Sequence, residues 1–310
     1  MMMRLGMLAL CLAAFAFQQV RANSVVVAPW ARSGFWLRHA GETGPYAHTL
    51  YGPSNPAGTW HIAQWHTPGP DMTPFARVAC PAGDMDCFLA QSPDFEALQF
   101  TRNGTIHVRL SSHGDRLPCT GGYLKQELDS FLEPTTTDNY PGYPSSWHSV
   151  NLASISSLTL NATVTTVVLR VPKRQPCGQA TLTDVLVAAV FSDRVAHQTL
   201  FYQLIIAQAK TANHLRHPYF YDRENPFGYD DLLSTYGIYP NGIPYRRPTT
   251  LHIDLLPKIA ALITAGEHGI DPIVQHWTTG GLYVGHLIYG NLSATTKWAK
   301  VSLIAERIND

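Results

Sequence analysis

The sequence predicts an all-β protein, a single antiparallel β-sandwich with one or two short helices packed at its edge. Short segments in which apolar and polar residues alternate recur along the 310-residue chain, and Gly, Pro, Asn or Ser bounds them. The segments are rich in β-branched and aromatic residues, which favour strands. Because they lie far apart along the chain, they predict two packed antiparallel sheets.

Seven segments carry the alternating pattern. The predicted strands span residues 59–65, 104–110, 158–171, 184–191, 199–208, 281–290 and 298–308. In the second of them the apolar Ile106, Val108 and Leu110 alternate with polar residues, a pattern typical of a sheet that is covered on one face. We therefore expect these three side chains to point into the core.

One segment, at about residues 250–265, departs from the strand pattern. Its apolar residues recur near helical spacing at Leu251, Leu255, Ile259 and Leu262. A Thr-rich start can cap a helix, and Gly266 is suited to end one. Pro257 lies inside the segment, and proline disrupts a helix interior. We expect two short helical pieces, or one helix kinked at Pro257, packed against the sandwich.

The first 22 residues have the three parts of a secretory signal peptide. Arg4 supplies a positive charge, residues 5–17 form an apolar stretch too short to span a bilayer, and Val20, Arg21 and Ala22 form a small-x-small cleavage site. We expect a secreted protein whose single domain spans residues 23–310. No later segment has about 18 uninterrupted apolar residues, so the sequence predicts no membrane anchor.

Four cysteines follow the signal peptide, namely Cys80, Cys87, Cys119 and Cys177. An even number in an oxidising compartment predicts disulfides. Three pairings are possible, and we favour Cys80 with Cys87, which are close in sequence, and Cys119 with Cys177. A metal site with four thiolates is the alternative, but no C-x-x-C pair occurs. We expect no cofactor.

Charge and motifs exclude several classes of function. Lys+Arg and Asp+Glu both number 22, and charged residues make up only 14% of the chain. A chain without net charge has no field to attract nucleic acid or an anionic membrane surface. No G-x-S-x-G elbow occurs, which disfavours an α/β-hydrolase. We expect neither a polyanion partner nor a serine nucleophile.

The C-terminal segment GGLYVGHLIYGNLSATTKWAKVSLIAE, residues 280–306, contains an alternating strand ending in Gly, a polar turn and another alternating strand. It resembles the closing strands of concanavalin A-like jelly rolls, the sandwich of legume-lectin-type and glucanase-type domains. The resemblance implies a jelly-roll architecture, in a group of folds that contains lectins, hydrolases and lyases alike.

Within that group, glucanases of the laminarinase and lichenase type carry a strand motif E-x-D-x-(x)-E. The segment KQELDSFLE, residues 125–133, is similar to it. The resemblance implies a nucleophile at Glu127, a helper carboxylate at Asp129 and an acid/base at Glu133. Glu133 lies six residues after Glu127, whereas the motif allows four or five.

The surroundings of these acidic residues predict a loop or a short helical turn. They are bracketed by Pro118, Gly121, Gly122 and Pro134. A solvated acidic turn, or a carboxylate that lines a binding groove, is therefore the alternative to a catalytic strand. The sequence leaves cleavage open, and a cleaving enzyme would be a glycoside hydrolase or a polysaccharide lyase.

A long irregular excursion, at about residues 211–249, separates two well-patterned segments. Connections longer than about 15 residues are uncommon unless they are functional or disordered. This one is too aromatic to stay solvated, and tyrosine rings beside carboxylates suit sugar recognition. The predicted substrate-binding residues are Tyr219, Tyr221, Asp222, Tyr229, Asp230, Asp231 and Tyr236. The alternative is a structural cover whose tyrosines are buried.

Histidines allow a third hypothesis. His214 and His217 form an H-x-x-H pair that could bind a metal with Asp222 or His252, although nothing in the sequence brings these residues together. The leading hypothesis is a secreted protein that binds or cleaves a polysaccharide or oligosaccharide. An extracytoplasmic structural or protein-interaction module without catalysis is the alternative.

Overall fold

The structure is a computed structural model that describes residues 23–28, 35–38, 48–49, 60–63, 76–78, 87–91, 96–101, 105–111, 127–134, 147–170, 182–210, 232–238, 243–244, 246–289 and 293–308. The predicted signal peptide, residues 1–22, lies outside this part of the chain, and so do Cys80, Cys119 and Cys177. Secretion and the disulfide pairing therefore stay predictions.

The described residues form sixteen strands, and all seven predicted strands are among them. In chain order the strands are β1 (Ser24–Ala28), β2 (Phe35–Arg38), β3 (His48–Thr49), β4 (Trp60–Ala63), β5 (Ala76–Val78), β6 (Cys87–Gln91), β7 (Glu96–Thr101), β8 (Ile106–Ser111), β9 (Glu127–Pro134), β10 (Ile155–Arg170), β11 (Leu182–Asp193), β12 (Gln198–Lys210), β13 (Leu232–Ile238), β14 (Thr249–Asp254), β15 (Trp277–Tyr289) and β16 (Ser293–Arg307). Sixteen strands are more than one strongly twisted open sheet usually holds, so a division into two packed sheets is expected.

The strands are arranged in two eight-stranded sheets. The first has the order β14-β10-β16-β8-β7-β6-β5, and β1 pairs with the C-terminal half of β16. The second has the order β13-β12-β11-β15-β9-β4-β2-β3. Two pairings, β12 with β13 and β2 with β4, are parallel, and the other pairings of the described strands are antiparallel. The predicted jelly-roll β-sandwich is confirmed, with these two parallel exceptions.

The core lies between the two sheets, where apolar side chains of both form one buried cluster. The cluster includes Ile106, Val108, Leu158, Leu160 and Trp298 of the first sheet and Leu132, Val185, Val187, Phe191 and Val284 of the second. Ile106 and Val108 thus point inward as predicted, because alternate residues of a strand share a face. Burial of apolar surface on this face stabilises the contact between the sheets.

The long excursion contains a strand that its sequence did not predict. Leu232–Ile238 forms β13 and pairs with β12 in parallel, from Thr199 with Leu232 to Ile205 with Ile238. Adjacent leucines and a glycine obscure the alternation in this segment. A parallel neighbour also needs a long crossover connection, which residues 211–231 supply. The excursion is therefore partly a sheet connection rather than one irregular loop.

The predicted helical segment is corrected at its start. Thr249–Asp254 pairs with β10 as a strand, and Leu251 is buried between two exposed neighbours. The helix α1 covers only Leu256–Ala265, and Pro257 lies in its first turn, where no N–H is needed and no kink follows. Pairing with β10 overrides the helical spacing of the preceding residues. Three 3-10 turns complete the helical structure of the described residues, at Leu152–Ser154, Glu267–Gly269 and Val274–His276.

The predicted end of the helix is confirmed. Gly266 has a left-handed φ of 62°, and its N–H donates to Ile263 O at 2.9 Å. Ile259 and Ile263 form the buried side of the helix and pack on the core. Among the described residues no helix is long and apolar enough to cross a membrane.

Replacing Gly266 by alanine is expected to lower the free energy of unfolding by about 1 kcal/mol, because a Cβ is unfavourable at left-handed φ. The Cβ itself would meet nothing nearer than Pro272 at 3.5 Å, so the cost comes from the backbone. Gly266→Asn is the matched control, since asparagine tolerates this conformation and should cost less. Urea denaturation measures both changes, and equal losses for the two variants would contradict the explanation.

Candidate functional site

The three predicted catalytic residues lie on β9, an inner strand that pairs with β15 on one side and β4 on the other. The predicted loop or short helical turn is therefore wrong. Of the bracketing residues, Pro118, Gly121 and Gly122 lie outside the described part of the chain, and Pro134 is the last residue of the strand. Leu132 packs in the core. Even separations place Glu127, Asp129 and Glu133 on one face of the strand, as a glucanase-type motif requires.

That face points away from the core, and we refer to it as the outer face of the second sheet. It carries a second buried cluster of Phe131, Leu186, Ala188, Tyr283 and Leu287. The Tyr283 ring meets Phe131 edge-on, with centroids 6.3 Å apart, and meets Phe201 at 5.6 Å. The outer face is therefore aromatic at its centre, near the strand that carries the acidic residues.

Two carboxylate side chains on the outer face are buried, Glu133 on β9 and Asp184 on β11. Aspartate and glutamate are rarely buried without a structural or chemical reason. Strand alternation fixes their face, because Glu133 is two residues from Phe131 of that cluster, and Asp184 is paired with Leu287 of the same cluster. The sequence predicts no role for Asp184, which only marks the start of a predicted strand.

The strand register brings Asp184 and Asp129 into one row. Leu287 on β15 is paired with Asp129 on β9 and with Asp184 on β11. The two aspartates are therefore two strand spacings apart, about 10 Å between Cα atoms, on the same face. Among the described residues this row has carboxylates on both sides of one strand.

The same register separates the predicted catalytic residues from one another. Glu127 is two residues from Asp129, about 7 Å along the strand, whereas Glu133 is four residues away, about 13 Å. Glu133 is instead in register with His61 on β4. The structure thus places Glu127 and Asp129 near Asp184, and Glu133 in another part of the outer face.

Most of the predicted substrate-binding residues lie outside the described part of the chain, namely Tyr219, Tyr221, Asp222, Tyr229, Asp230 and Asp231. Tyr236 lies on β13, where it is in register with Gln203. Of the predicted metal ligands, His214 and His217 also lie outside it. His252 lies on β14 of the first sheet, with Nδ1 2.8 Å from Asn161 Oδ1.

One other group of side chains in the described ranges could hold a metal ion, and no motif in the sequence predicts it. Asp193, Asp271 and His276 each place a ligand atom within 4.8 Å of the others. Asp193 is the last residue of β11, nine residues from Asp184 and about 30 Å along the strand. The group is therefore distinct from the acidic row.

No protein-family model matches this sequence, and no curated protein is similar to it in sequence. Solved structures of glycoside hydrolases with a concanavalin A-like jelly roll are similar in fold. The xyloglucanase domain of NopAA, a type three effector from Sinorhizobium fredii in complex with cellobiose, has 11% identity and a TM-score of 0.39, over 76% of this chain and 98% of that one.

Two further structures are similar at the same level. Trichoderma harzianum Endoglucanase 3 from family GH12 has 8% identity and a TM-score of 0.36, over 80% of this chain and 98% of its own. The family 11 xylanase from Neocallimastix patriciarum has 8% identity and a TM-score of 0.30, over 80% and 88% of the two chains. The TM-scores of all three structures are below 0.5, so the similarity is one of fold. What the outer face can do chemically is inferred from strand register and burial.

Proposed function

We propose that this chain is a secreted carbohydrate-active protein with its site for a polysaccharide or oligosaccharide on the outer face of the second sheet. The observation that carries the proposal is the row of Asp129, Leu287 and Asp184, in which carboxylate residues flank β15 on one face. Secretion belongs to the proposal and is supported by the signal-peptide pattern of residues 1–22.

Cleavage of a glycosidic bond needs two carboxyl groups on opposite sides of that bond. One protonates the leaving oxygen, and the other acts as a base toward water or as a nucleophile. The groups are about 5–5.5 Å apart in retaining enzymes and about 6.5–9.5 Å apart in inverting enzymes. Aspartate side chains are short, so two of them with Cα atoms about 10 Å apart fit the wider range better. We therefore expect inversion at the anomeric carbon.

The aromatic residues of the outer face support a sugar ligand. Tyr283, Phe131 and Phe201 form edge-to-face contacts on the outer face, and ring faces are suited to the C–H surfaces of sugars. Phe201 and Gln203 on β12 are partly exposed, so this part of the outer face reaches solvent. A ligand would reach the outer face from the β12 side.

One observation favours a second candidate, a structural or protein-interaction module without catalysis. Phe131, Leu186, Tyr283 and Leu287 are all buried, although they lie on the face that points away from the core. A covered outer face is what a structural role requires. The two candidates differ in whether the carboxylates of the row act on a ligand.

The test is a screen of the purified protein against neutral and acidic polysaccharides, with binding and product release measured separately. We expect wild type to release reducing ends, and Asp129→Asn and Asp184→Asn each to lower the rate by on the order of 10³-fold. Glu267→Gln is the matched control, since it neutralises an exposed carboxylate far from the row and should keep full activity. NMR of the first products tests the expected inversion.

Other outcomes assign the function differently. Binding without release would make the protein lectin-like. Release that survives both aspartate variants but is lost in Glu133→Gln would move the site to the other part of the outer face. Absence of binding and release on every glycan would contradict the proposal and leave the structural candidate.

A further inference from the structure

A separate group of polar side chains closes one end of the second sheet. Asp193 ends β11, while Asp271 and His276 lie on the segment that leads from α1 into β15. The three side chains place ligand atoms within 4.8 Å of one another. The acidic row of the proposed carbohydrate site is about 30 Å away along β11, so this group needs a different explanation.

Asp193 supplies the strongest observation. Its Oδ1 accepts hydrogen bonds from the amides of Val195 at 2.7 Å and Ala196 at 2.9 Å, which hold the side chain against the turn between β11 and β12. Its Oδ2 is buried, and no hydrogen-bond donor of the described chain reaches it; the residue as a whole is 2% exposed. A buried carboxylate oxygen without a donor is costly unless another group compensates for it.

Asp271 is held in place as tightly as Asp193. Its Oδ1 accepts from the amide of Ile273 at 3.0 Å, and its Oδ2 lies 2.5 Å from Nδ1 of His276. Its own amide donates to Gln198 Oε1, and its carbonyl accepts from the indole of Trp277 at 3.0 Å. Backbone and side chain of Asp271 are thus both fixed beside Asp193.

The charge of the group calls for a positive partner. Asp271 and Asp193 place carboxylate oxygens within 4.8 Å of each other, and His276 is hydrogen-bonded to Asp271. Two facing carboxylates accept hydrogen bonds but cannot donate them unless one is protonated. A protonated His276 would compensate Asp271, with which it is paired, but it leaves Oδ2 of Asp193 without a partner. A shared proton or a metal ion can serve Oδ2 as well, and a neutral imidazole is a ligand that only the metal ion uses.

We propose that Asp193, Asp271 and His276 bind a divalent transition-metal ion, Zn²⁺ or Mn²⁺. Two carboxylate oxygens with one imidazole nitrogen are a donor set that these ions accept. Ca²⁺ and Mg²⁺ prefer all-oxygen sites, so the imidazole selects against them. Three protein ligands leave positions for water or a further ligand.

The site is deep on one side and open on the other. The Asp193 residue is buried, whereas the Asp271 side chain is 13% exposed and the His276 side chain 27%. An ion can therefore enter past His276 and reach the buried oxygen of Asp193. The hydrogen bonds of Gln198 and Trp277 to the backbone of Asp271 fix a ligand from outside the first coordination shell.

The experiment is metal loading of the full chain. Protein dialysed against a chelator is reloaded with Zn²⁺, Mn²⁺ or Ca²⁺, and bound metal, titration heat and thermal stability are measured. We expect about one equivalent of Zn²⁺ or Mn²⁺, a rise in Tm on loading, and weaker binding of Ca²⁺. Asp193→Asn and His276→Gln should each weaken Zn²⁺ or Mn²⁺ binding at least about tenfold.

The variants also distinguish a bound metal ion from a proton shared between the two carboxylates. Asp193→Asn keeps the shape of the side chain and removes one of two facing negative charges, so its metal-free Tm should equal or exceed that of wild type, while its rise on loading disappears. His148→Gln, at an exposed position, is the control for adventitious binding by surface histidines and should bind metal like wild type. Substoichiometric binding, or equal binding by wild type and Asp193→Asn, would overturn the proposal. None of these readouts depends on carbohydrate activity.

Discussion

We expect the free energy of unfolding to fall by about 1.4 kcal/mol for each pH unit below about 6.5, because one buried histidine stays neutral in the folded state. His286 lies on the core face of β15, and burial lowers its pKa from 6.5 to about 3. Its Nδ1 is 3.2 Å from Thr296 Oγ1, and no partner among the described residues reaches Nε2. Protonation in the folded state would place an uncompensated charge in the core.

The direction of this pH dependence follows from the difference in proton binding between the folded and the unfolded state. Below about pH 6.5 the unfolded chain binds a proton at this imidazole, and the folded chain does not do so until about pH 3. The contribution of His286 to stability is therefore complete above pH 6.5 and is lost as the pH falls toward 3. At about pH 4.5 the loss amounts to about 2.7 kcal/mol.

Urea denaturation of wild type and His286→Leu between pH 7.5 and 4.5 measures this loss. The free energy of unfolding of the variant relative to wild type should rise as the pH falls, by about 2.7 kcal/mol at about pH 4.5. Val301→Ala removes buried apolar volume from the same core without changing a titratable group, so its cost should be the same at every pH. Parallel profiles for wild type and His286→Leu would refute the assignment.

Trp298→Ala is expected to lower the free energy of unfolding by about 3–5 kcal/mol, the cost of removing a large buried aromatic side chain. Trp298 is fully buried on β16, and its Nε1 donates to Thr296 Oγ1 at 2.8 Å. Trp298→Phe keeps most of the packing and removes the donor, so its cost should be nearer about 2 kcal/mol.

Chemical denaturation at neutral pH compares these two variants. Arg307→Ala, at an exposed position near the end of the same strand, is the control and should change stability by less than about 0.5 kcal/mol. If alanine and phenylalanine at position 298 cost the same, the packing of the indole is not the main contribution, and its hydrogen bond to Thr296 is.

Strands and their inward faces were predictable because alternation is a local property. A period of two fixes which residues share a face, so Ile106 and Val108 could be assigned to the core before any strand was paired. The end of α1 was predictable for a similar reason, since Gly266 adopts a conformation that few other residues tolerate. The start of the helix was not predictable, because Leu251 and its neighbours pair with β10 as a strand.

By itself, the sequence determined that the chain is a β-sandwich, which residues of its main strands face the core, and where its one described α-helix ends. Only the tertiary structure decided that β9 is an inner strand, that Asp184 shares a row with Asp129, and that Asp193 meets Asp271 and His276. It also decided that β15 and β16, neighbours along the chain, lie in opposite sheets, with His286 facing Thr296 across the core. The physical reason is that the face on which a side chain lies follows from the local geometry of its strand. The neighbouring strand and the register of the pairing depend instead on packing between segments far apart in sequence.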